Sequence, residues 1–304
     1  MTRTFGLIGV PSSAGAHWPG QEQAPQAFRA AGIVEHLTAA GCRVVDYGDL
    51  PRTRWQPDPQ QRHPHSLSAV LTVAKRLGER VDAVLHAQHV PIVLGGDCSI
   101  ELGVISGMVR HREDVALLYF DGGLDLRTPE DNPEGICDSM GLAHLIGAPG
   151  TAAELREIGP RVPLLAEEKI LVFGYTPDLS YEEREEVLGR YAMPRFPVEK
   201  VRGRPHAAAT EALTRLEAMA EHFVIHFDVD VVDFLDFPIA DVPQINAGLT
   251  FQEAIACLRV FVVSPKFAGL VITEFNPDHA DEEGVLVTTF VQSIVNALAG
   301  VEDG

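Results

Sequence analysis

The chain has 304 residues, with 24 Lys+Arg against 43 Asp+Glu and a formal net charge of −19 with His neutral. That length suits one large α/β domain or two ordinary ones, and 46% hydrophobic with 22% charged residues marks a globular protein, not a disordered one. So acidic a chain repels phosphate backbones and anionic lipid, which argues against nucleic acid and membrane surfaces as partners. No apolar run approaches the roughly 20 residues that span a bilayer. The opening ten residues read as a first strand, too briefly apolar for a signal peptide and without a cleavage site. Cys42, Cys98, Cys137 and Cys257 lie far apart with no CxxC pair. That spacing fits neither a disulfide framework nor a zinc ribbon and points to a reduced, cytoplasmic protein.

In chain order the pattern predicts a strand over 5–10, a helix over 25–40, a strand over 43–47 and a helix over 66–89. A strand over 91–94, a helix over 99–111 and strands over 115–120 and 170–173 follow. Then come helices over 181–191 and 207–220, a strand over 223–227, a helix over 251–264, a strand over 270–273 and a helix over 284–299. Near-continuous apolar strands alternating with helices predict a parallel sheet covered on both faces. The Pro- and Arg-rich stretch 51–64 reads as a surface loop. No repeat or linker divides the chain, so 1–304 is expected to be one domain. In such sheets the ligand site lies beyond the carboxyl ends of the strands.

Acidic residues gather where the apolar runs stop. The run 115–120 leads into Asp121-Gly-Gly-Leu-Asp125, and 223–227 leads into Asp228-Val-Asp230-Val-Val-Asp233. Asp228 and Asp230 are two apart, so a strand continuing through them would point both to one side. Carboxylates crowded at buried strand ends repel each other and carry a heavy desolvation cost unless a positive charge sits among them. A divalent cation with oxygen ligands is the natural compensation. Each segment also has a plain reading: Asp121-Gly122 as a turn, Asp125 as a helix cap, Asp233 as a loop residue. Two strands ending the same way favour the metal.

A third segment, Gly95-Gly-Asp-Cys-Ser99, is a diglycine turn between strand and helix. Such a turn could cradle an anion. Cys98 near a helix N-terminus could have a lowered pKa and act as a thiolate ligand or nucleophile, or be a packed core residue. The fourth, Glu274-Phe-Asn-Pro277, ends an apolar strand on a carboxylate, which can grip a planar guanidinium bidentately or simply be solvated.

Taken in order, these segments resemble the ureohydrolase family: arginases, agmatinases and their relatives. The family pattern runs Gly-Gly-Asp-His-Ser, Asp-Ala-His-x-Asp, Ser-x-Asp-x-Asp-x-x-Asp-Pro and Glu-x-Asn-Pro. Here it stands as Gly95-Gly-Asp-Cys-Ser99, Asp121-Gly-Gly-Leu-Asp125, His226-Phe-Asp-Val-Asp-Val-Val-Asp233 and Glu274-Phe-Asn-Pro277. Gly9-Val-Pro-Ser-Ser and Gly248-Leu-Thr-Phe251 are similar to the family as well. The resemblance implies a three-layer α/β/α arginase-type fold with a parallel sheet. It also implies a binuclear manganese site whose bridging hydroxide attacks a guanidinium carbon, in a homo-oligomer, trimer or hexamer. Carried over, Asp121 and Asp228 would bridge the metals, Cys98 and Asp125 would complete one shell, Asp230 would serve the other, and Glu274 would hold the guanidinium.

Three departures bear on the chemistry. Cys98 replaces a family histidine and, as a softer ligand, shifts preference toward Zn2+ or Fe2+. Gly123 replaces the second histidine and brings no side chain, so one ion or two remain open; His144 or His226 could substitute, or each could be an ordinary packed or surface histidine. By ungapped count the family's proton-shuttle histidine falls on Asp138, whose unperturbed pKa near 3.9 makes it a poor acid at neutral pH. The carboxylate-binding Asn falls on Arg127, which could pair with a substrate carboxylate or be a solvated loop residue. The leading expectation is metal-dependent hydrolysis of a guanidino or amidine C–N bond, releasing urea or a urea analogue. Some family members with Cys in this position resemble hydroxyarginine hydrolases, so a modified guanidine is the expected kind of substrate. The alternatives are a catalytically impaired scaffold or partner subunit with a decayed metal site, and metal-free chemistry by Cys98, which the surrounding carboxylates oppose.

Overall fold

The computed structural model describes residues 3–57, 64–177, 187 and 189–301. Eight strands form one parallel sheet: β1 (Thr4–Gly9), β2 (Arg43–Asp49), β3 (Val90–Leu94), β4 (Val115–Phe120), β5 (Ile170–Phe173), β6 (Arg195–Phe196), β7 (His222–Asp228) and β8 (Phe267–Thr273). Their order is β2-β1-β3-β8-β7-β4-β5-β6. The helices are α1 (Ala24–Ala30), α2 (Ile33–Ala39), α3 (Leu67–His86), α4 (Glu101–His111), α5 (Gly141–Leu145), α6 (Ala153–Arg156), α7 (Val198–Val201), α8 (Pro205–Met219), α9 (Phe251–Val262) and α10 (Val285–Ala299). All seven expected strands are present within a few residues. The eighth, β6, is two residues long and too short to leave a period in the sequence.

Period-2 alternation divides each central strand between two cores. On β4, Ala116, Leu118 and Phe120 enter the layer packed by α1, α2, α8, α9 and α10, while Val115, Leu117 and Tyr119 enter the layer under α3 and α4. The expected helix over 25–40 is two helices. Gly32 sits at φ 77 between them, a left-handed turn that ends α1 and starts α2 at a new angle. α9 begins with a capping box, in which Thr250 and Glu253 exchange side-chain and backbone hydrogen bonds. The expected helix over 181–191 lies almost wholly outside the described residues, as does part of the loop 51–64.

The α3–α4 pair sets the position of the site. Gly78, Gly103 and Gly107 let the two backbones touch; a Cβ at Gly103 would stand 2.5 Å from the Ala74 carbonyl oxygen. Because α4 begins at Glu101, three residues after Cys98, this close approach fixes the segment that enters the pocket. Gly103→Ala must push α4 outward. We expect a loss of about 1–3 kcal/mol of stability, read as a lower urea midpoint at unchanged m-value.

Candidate active site

Four strand ends converge on the site. β3 turns through Gly95 and Gly96, at φ 74 and 108, into the helical turn Cys98–Ile100. The buried Asp97 caps that turn, accepting the Ser99 N–H at 3.2 Å, and also accepts the Gly15 N–H at 3.1 Å from the loop after β1. The loop closes this tightly because a Cβ on Gly15 would lie 2.6 Å from Asp97 Oδ1. The diglycine turn therefore faces carboxylates, an environment hostile to an anion.

β4 delivers Asp121, whose Oδ1 accepts the Gly123 N–H at 2.6 Å. β8 delivers Glu274 at φ 59, a left-handed non-glycine conformation of the kind found where side chains must be aimed. Gln21 Nε2 donates to Glu274 Oε2 at 3.1 Å, and Oε1 has no hydrogen-bond partner.

β7 does not continue as expected. It ends at Asp228, whose Oδ1 accepts the Asp230 N–H at 2.7 Å and bends the chain into the turn Val229–Val231. Asp230 leaves the ladder and instead receives the Gly122 N–H at 3.0 Å. The side chain that shares Asp228's side of the strand is His226.

The centre of the cluster is buried and dense. Cys98 Sγ lies 2.6 Å from Asp228 Oδ2, 3.5 Å from His226 Nε2 and 3.4 Å from Thr273 Oγ1. His226 Nε2 also faces Asp121 Oδ2 at 3.5 Å, while Nδ1 meets Glu101 Oε2 at 3.1 Å. Tyr119 stacks on the imidazole at 4.3 Å between ring centroids and 8° between planes. Cys98, Asp121, His226 and Asp228 each offer one donor atom within 4.8 Å of the others, and so do Cys98, Asp138 and Glu274. Neither group includes Asp125 or Asp230: Asp125, at φ 48, accepts the Tyr119 hydroxyl, and Asp230 is held by Gly122. All these side chains save His226, Thr273, Glu101 and Tyr119 line a cavity of about 470 Å³, together with Arg127, His17, Asn132 and Gln244.

Burial dominates the electrostatics. It pushes the Cys98 thiol well up, with Asp228, Asp138, Asp125 and Glu274 adding to it. This overturns the expectation of a lowered thiol pKa at the helix start. Burial likewise raises Asp228, reinforced by Asp230 and Asp121, and lifts Asp230 to about 8, reinforced by Asp121. Asp138 and Glu274 are pushed well up by burial and by Asp97 and Asp138 respectively. Burial and the neighbouring Asp97 thus bias Asp138 toward its protonated form, unlike a free aspartate. Burial would lower His226, but Asp121 and Glu101 hold it up at about 9. Buried acids crowded without a compensating positive charge, with Asp121 Oδ2 lacking any hydrogen-bond partner, form a donor set that fits a divalent cation.

A family model for the arginase family matches residues 3–297. The arginase of Brevibacillus brevis is 28% identical to this chain over 91% of it and 92% of its own length. The crystal structure of arginase from Bacillus subtilis superposes with a TM-score of 0.86 at 25% identity, covering 99% of both chains. Formimidoylglutamase from Bacillus subtilis shares the fold more distantly, with a TM-score of 0.73 at 19% identity over 98% of this chain and 87% of that one. The chain belongs to the arginase family.

The sequence reading missed Glu101, Thr273, Gln21 and Tyr119. Of these only Thr273 carried a signal, as the residue before Glu274. Arg127 lines the pocket, with Nη1 donating to the Asp131 carbonyl at 3.1 Å. The two histidines considered as substitutes separate cleanly. His144 is fully buried away from the centre; its Nδ1 meets the Met140 carbonyl at 2.7 Å and its Nε2 accepts the Ala152 N–H at 3.1 Å. Burial lowers its pKa to about 4. The unfolded chain therefore binds more protons than the folded one between about pH 6.5 and 4. His144 stabilises the fold above that window, and the contribution is lost as pH falls through it, about 3 kcal/mol in all. Urea midpoints measured from pH 7 to 4 should fall less steeply in His144→Gln than in the unsubstituted protein.

Proposed function

We propose that this chain is a metal-dependent hydrolase of a guanidino or amidine C–N bond, releasing urea or a urea analogue. The observation that carries the reading is the convergence of Cys98, Asp121, Asp228 and Glu274 from four strand ends onto one cavity. The arginase-family match supports it, and the impaired-scaffold alternative, based on Gly123, is not favoured by the relatives. In this reading Asp121 and Asp228 hold the ion, Cys98 and Asp125 complete its shell, and Asp230 serves a second ion. Gly123 leaves that second site short of a ligand, so one ion is held more tightly than two. Mn2+ is the family-like occupant, with Zn2+ or Fe2+ favoured by the thiolate. When bound, the ion lowers the pKa of a coordinated water and so supplies the nucleophile near neutral pH.

The chain's own groups do the rest. Glu274, steadied by Gln21, presents a carboxyl whose Oε1 is unpartnered; a cationic planar substrate brings the charge that lets it ionise and pair bidentately. Asp138 accepts the Cys98 N–H at 2.6 Å and carries the proton that a departing amine needs. Arg127 on the pocket wall meets a carboxylate on the substrate's far end. A modified guanidine is the favoured substrate, and the working form is a cytoplasmic homo-oligomer, trimer or hexamer. No helix among the described residues is long and apolar enough to cross a membrane.

Two substitutions test this. Asp228→Asn should abolish metal retention by elemental analysis and urea release from guanidino compounds together; full activity in that variant would overturn the metal mechanism. Gly123 lies outside the left-handed region, so a side chain there is not strained by the backbone. Gly123→His should tighten binding of a second ion. An unchanged stoichiometry at saturating metal would mean that residue 123 does not face the second site.

A further inference from the structure

We propose that His226 is itself a metal ligand, forming with Cys98, Asp121 and Asp228 a four-donor site for a single zinc-like ion, with Glu101 as its positioning residue. The proposal rests on the metal-hydrolase reading above and revises it at one ligand: His226 takes the place given there to Asp125, which lies outside the cluster on the Tyr119 hydroxyl, and the imidazole absent at 123 is not restored on the second site.

Three independent features point to it. The first is distance. Around a tetrahedral zinc, with metal–sulfur about 2.3 Å and metal–nitrogen or –oxygen about 2.0–2.2 Å, neighbouring donors stand about 3.4–3.6 Å apart. His226 Nε2 lies 3.5 Å from Cys98 Sγ and 3.5 Å from Asp121 Oδ2, while Cys98 Sγ and Asp228 Oδ2, now 2.6 Å apart, must separate by about 1 Å when an ion replaces the proton between them. Asp121 Oδ2 is buried without a hydrogen-bond partner, so it is aimed at the cluster and not engaged elsewhere.

The second is the support behind the ring. Glu101 is fully buried and meets Nδ1 at 3.1 Å. A carboxylate on the far nitrogen of an imidazole orients the ring and raises its basicity as a ligand, and the proton that Nε2 holds toward Asp121 in the metal-free protein leaves to solvent when an ion binds. The stacked Tyr119 fixes the ring plane, and Thr273 Oγ1 lies 3.3 Å from Nε2. Nε2 therefore has one orientation, toward Cys98 and Asp121.

The third is chemistry. A thiolate, an imidazole and two carboxylates make a mixed set that suits zinc, cobalt or ferrous iron better than manganese, which prefers oxygen. The Cys98 thiol directs its proton to Asp228, and that proton is the one an entering ion displaces. In the family pattern the residue two before the first Asp of this segment is serine, so the imidazole at 226 belongs to this chain and accompanies Cys98 and Gly123.

The test is titration of chelator-stripped, full-length protein with Co2+, followed by absorbance. One equivalent should give a near-ultraviolet thiolate-to-cobalt charge-transfer band and intense visible bands of four-coordinate cobalt, and excess Zn2+ should abolish both. Glu101→Gln keeps an acceptor for Nδ1–H and should retain the bands while weakening Co2+ binding about 10–100-fold. His226→Ala should weaken it further and lose the four-coordinate intensity. If His226→Ala binds Co2+ with unchanged affinity and spectrum, the ligand assignment is overturned while the metal-hydrolase reading stands. Imidazolium resonances of His226 persisting in nuclear magnetic resonance at saturating Zn2+ would also overturn it, because the ring would then be a fixed cation beside the metal. Absence of any metal uptake by the unsubstituted protein would overturn both.

Discussion

Negative charge buried at the carboxyl edge of the sheet is the constraint on which the structure depends. Asp97, Asp121, Asp138, Asp228, Asp230 and Glu274 are all buried there, within a few strand widths of one another. Two like charges 4 Å apart cost about 4 kcal/mol even at an effective dielectric of 20. The chain answers in three ways. Backbone N–H groups of Gly15, Ser99, Gly122, Gly123 and Asp230 are turned onto the carboxylates. Burial and mutual repulsion raise the pKa values of Asp228 and Glu274, and one imidazole is held beneath the cluster at a raised pKa. A divalent ion and a cationic substrate are the two partners that relieve the remainder.

The scaffold carries that charge because its strands and helices are packed too tightly to relax around it. β4 is buried along its whole length, with one core above and one below the sheet. The glycine contacts between α3 and α4 hold the two helices at backbone contact, and α4 begins at Glu101 just after Cys98. Gly122 plays the same part on the other side of the pocket. A Cβ there would lie 1.8 Å from Gln244 Nε2 and 2.9 Å from Asp230 Oδ1. Preorganisation of this kind keeps unfavourable charges in register until a ligand arrives.

The departures from the family pattern form a related set. Position 98 exchanges imidazole for thiol, 123 loses its side chain, and 226 brings an imidazole up from the floor of the site. Read one at a time, the first two look like decay of a metal site. Seen together around Asp121 and Asp228, positions 98 and 226 keep four donor atoms within 4.8 Å of one another.

The strands and the four motif segments were legible because they are local: period-2 burial, diglycine turns and aspartates at the ends of apolar runs are written within ten residues of each other. Membership of the arginase family was legible for the same reason, as ordered motifs along most of the chain. What the sequence did not disclose lies across it. Glu101 and His226 are 125 residues apart and meet only because α4 packs under the carboxyl end of β7. Asp228 and Asp230 both face the pocket, but they are presented by a turn that the Asp228 carboxylate closes and not by a continued strand. The raised pKa values of Asp138 and Cys98 were likewise out of reach, since they depend on burial and on neighbours from other strands. Sequence by itself determined the sheet, the family and the acidic residues at the pocket's edge, because each follows from local pattern. Tertiary structure alone decided which imidazole faces the acids and which acids have raised pKa values, because both depend on distances between segments remote along the chain.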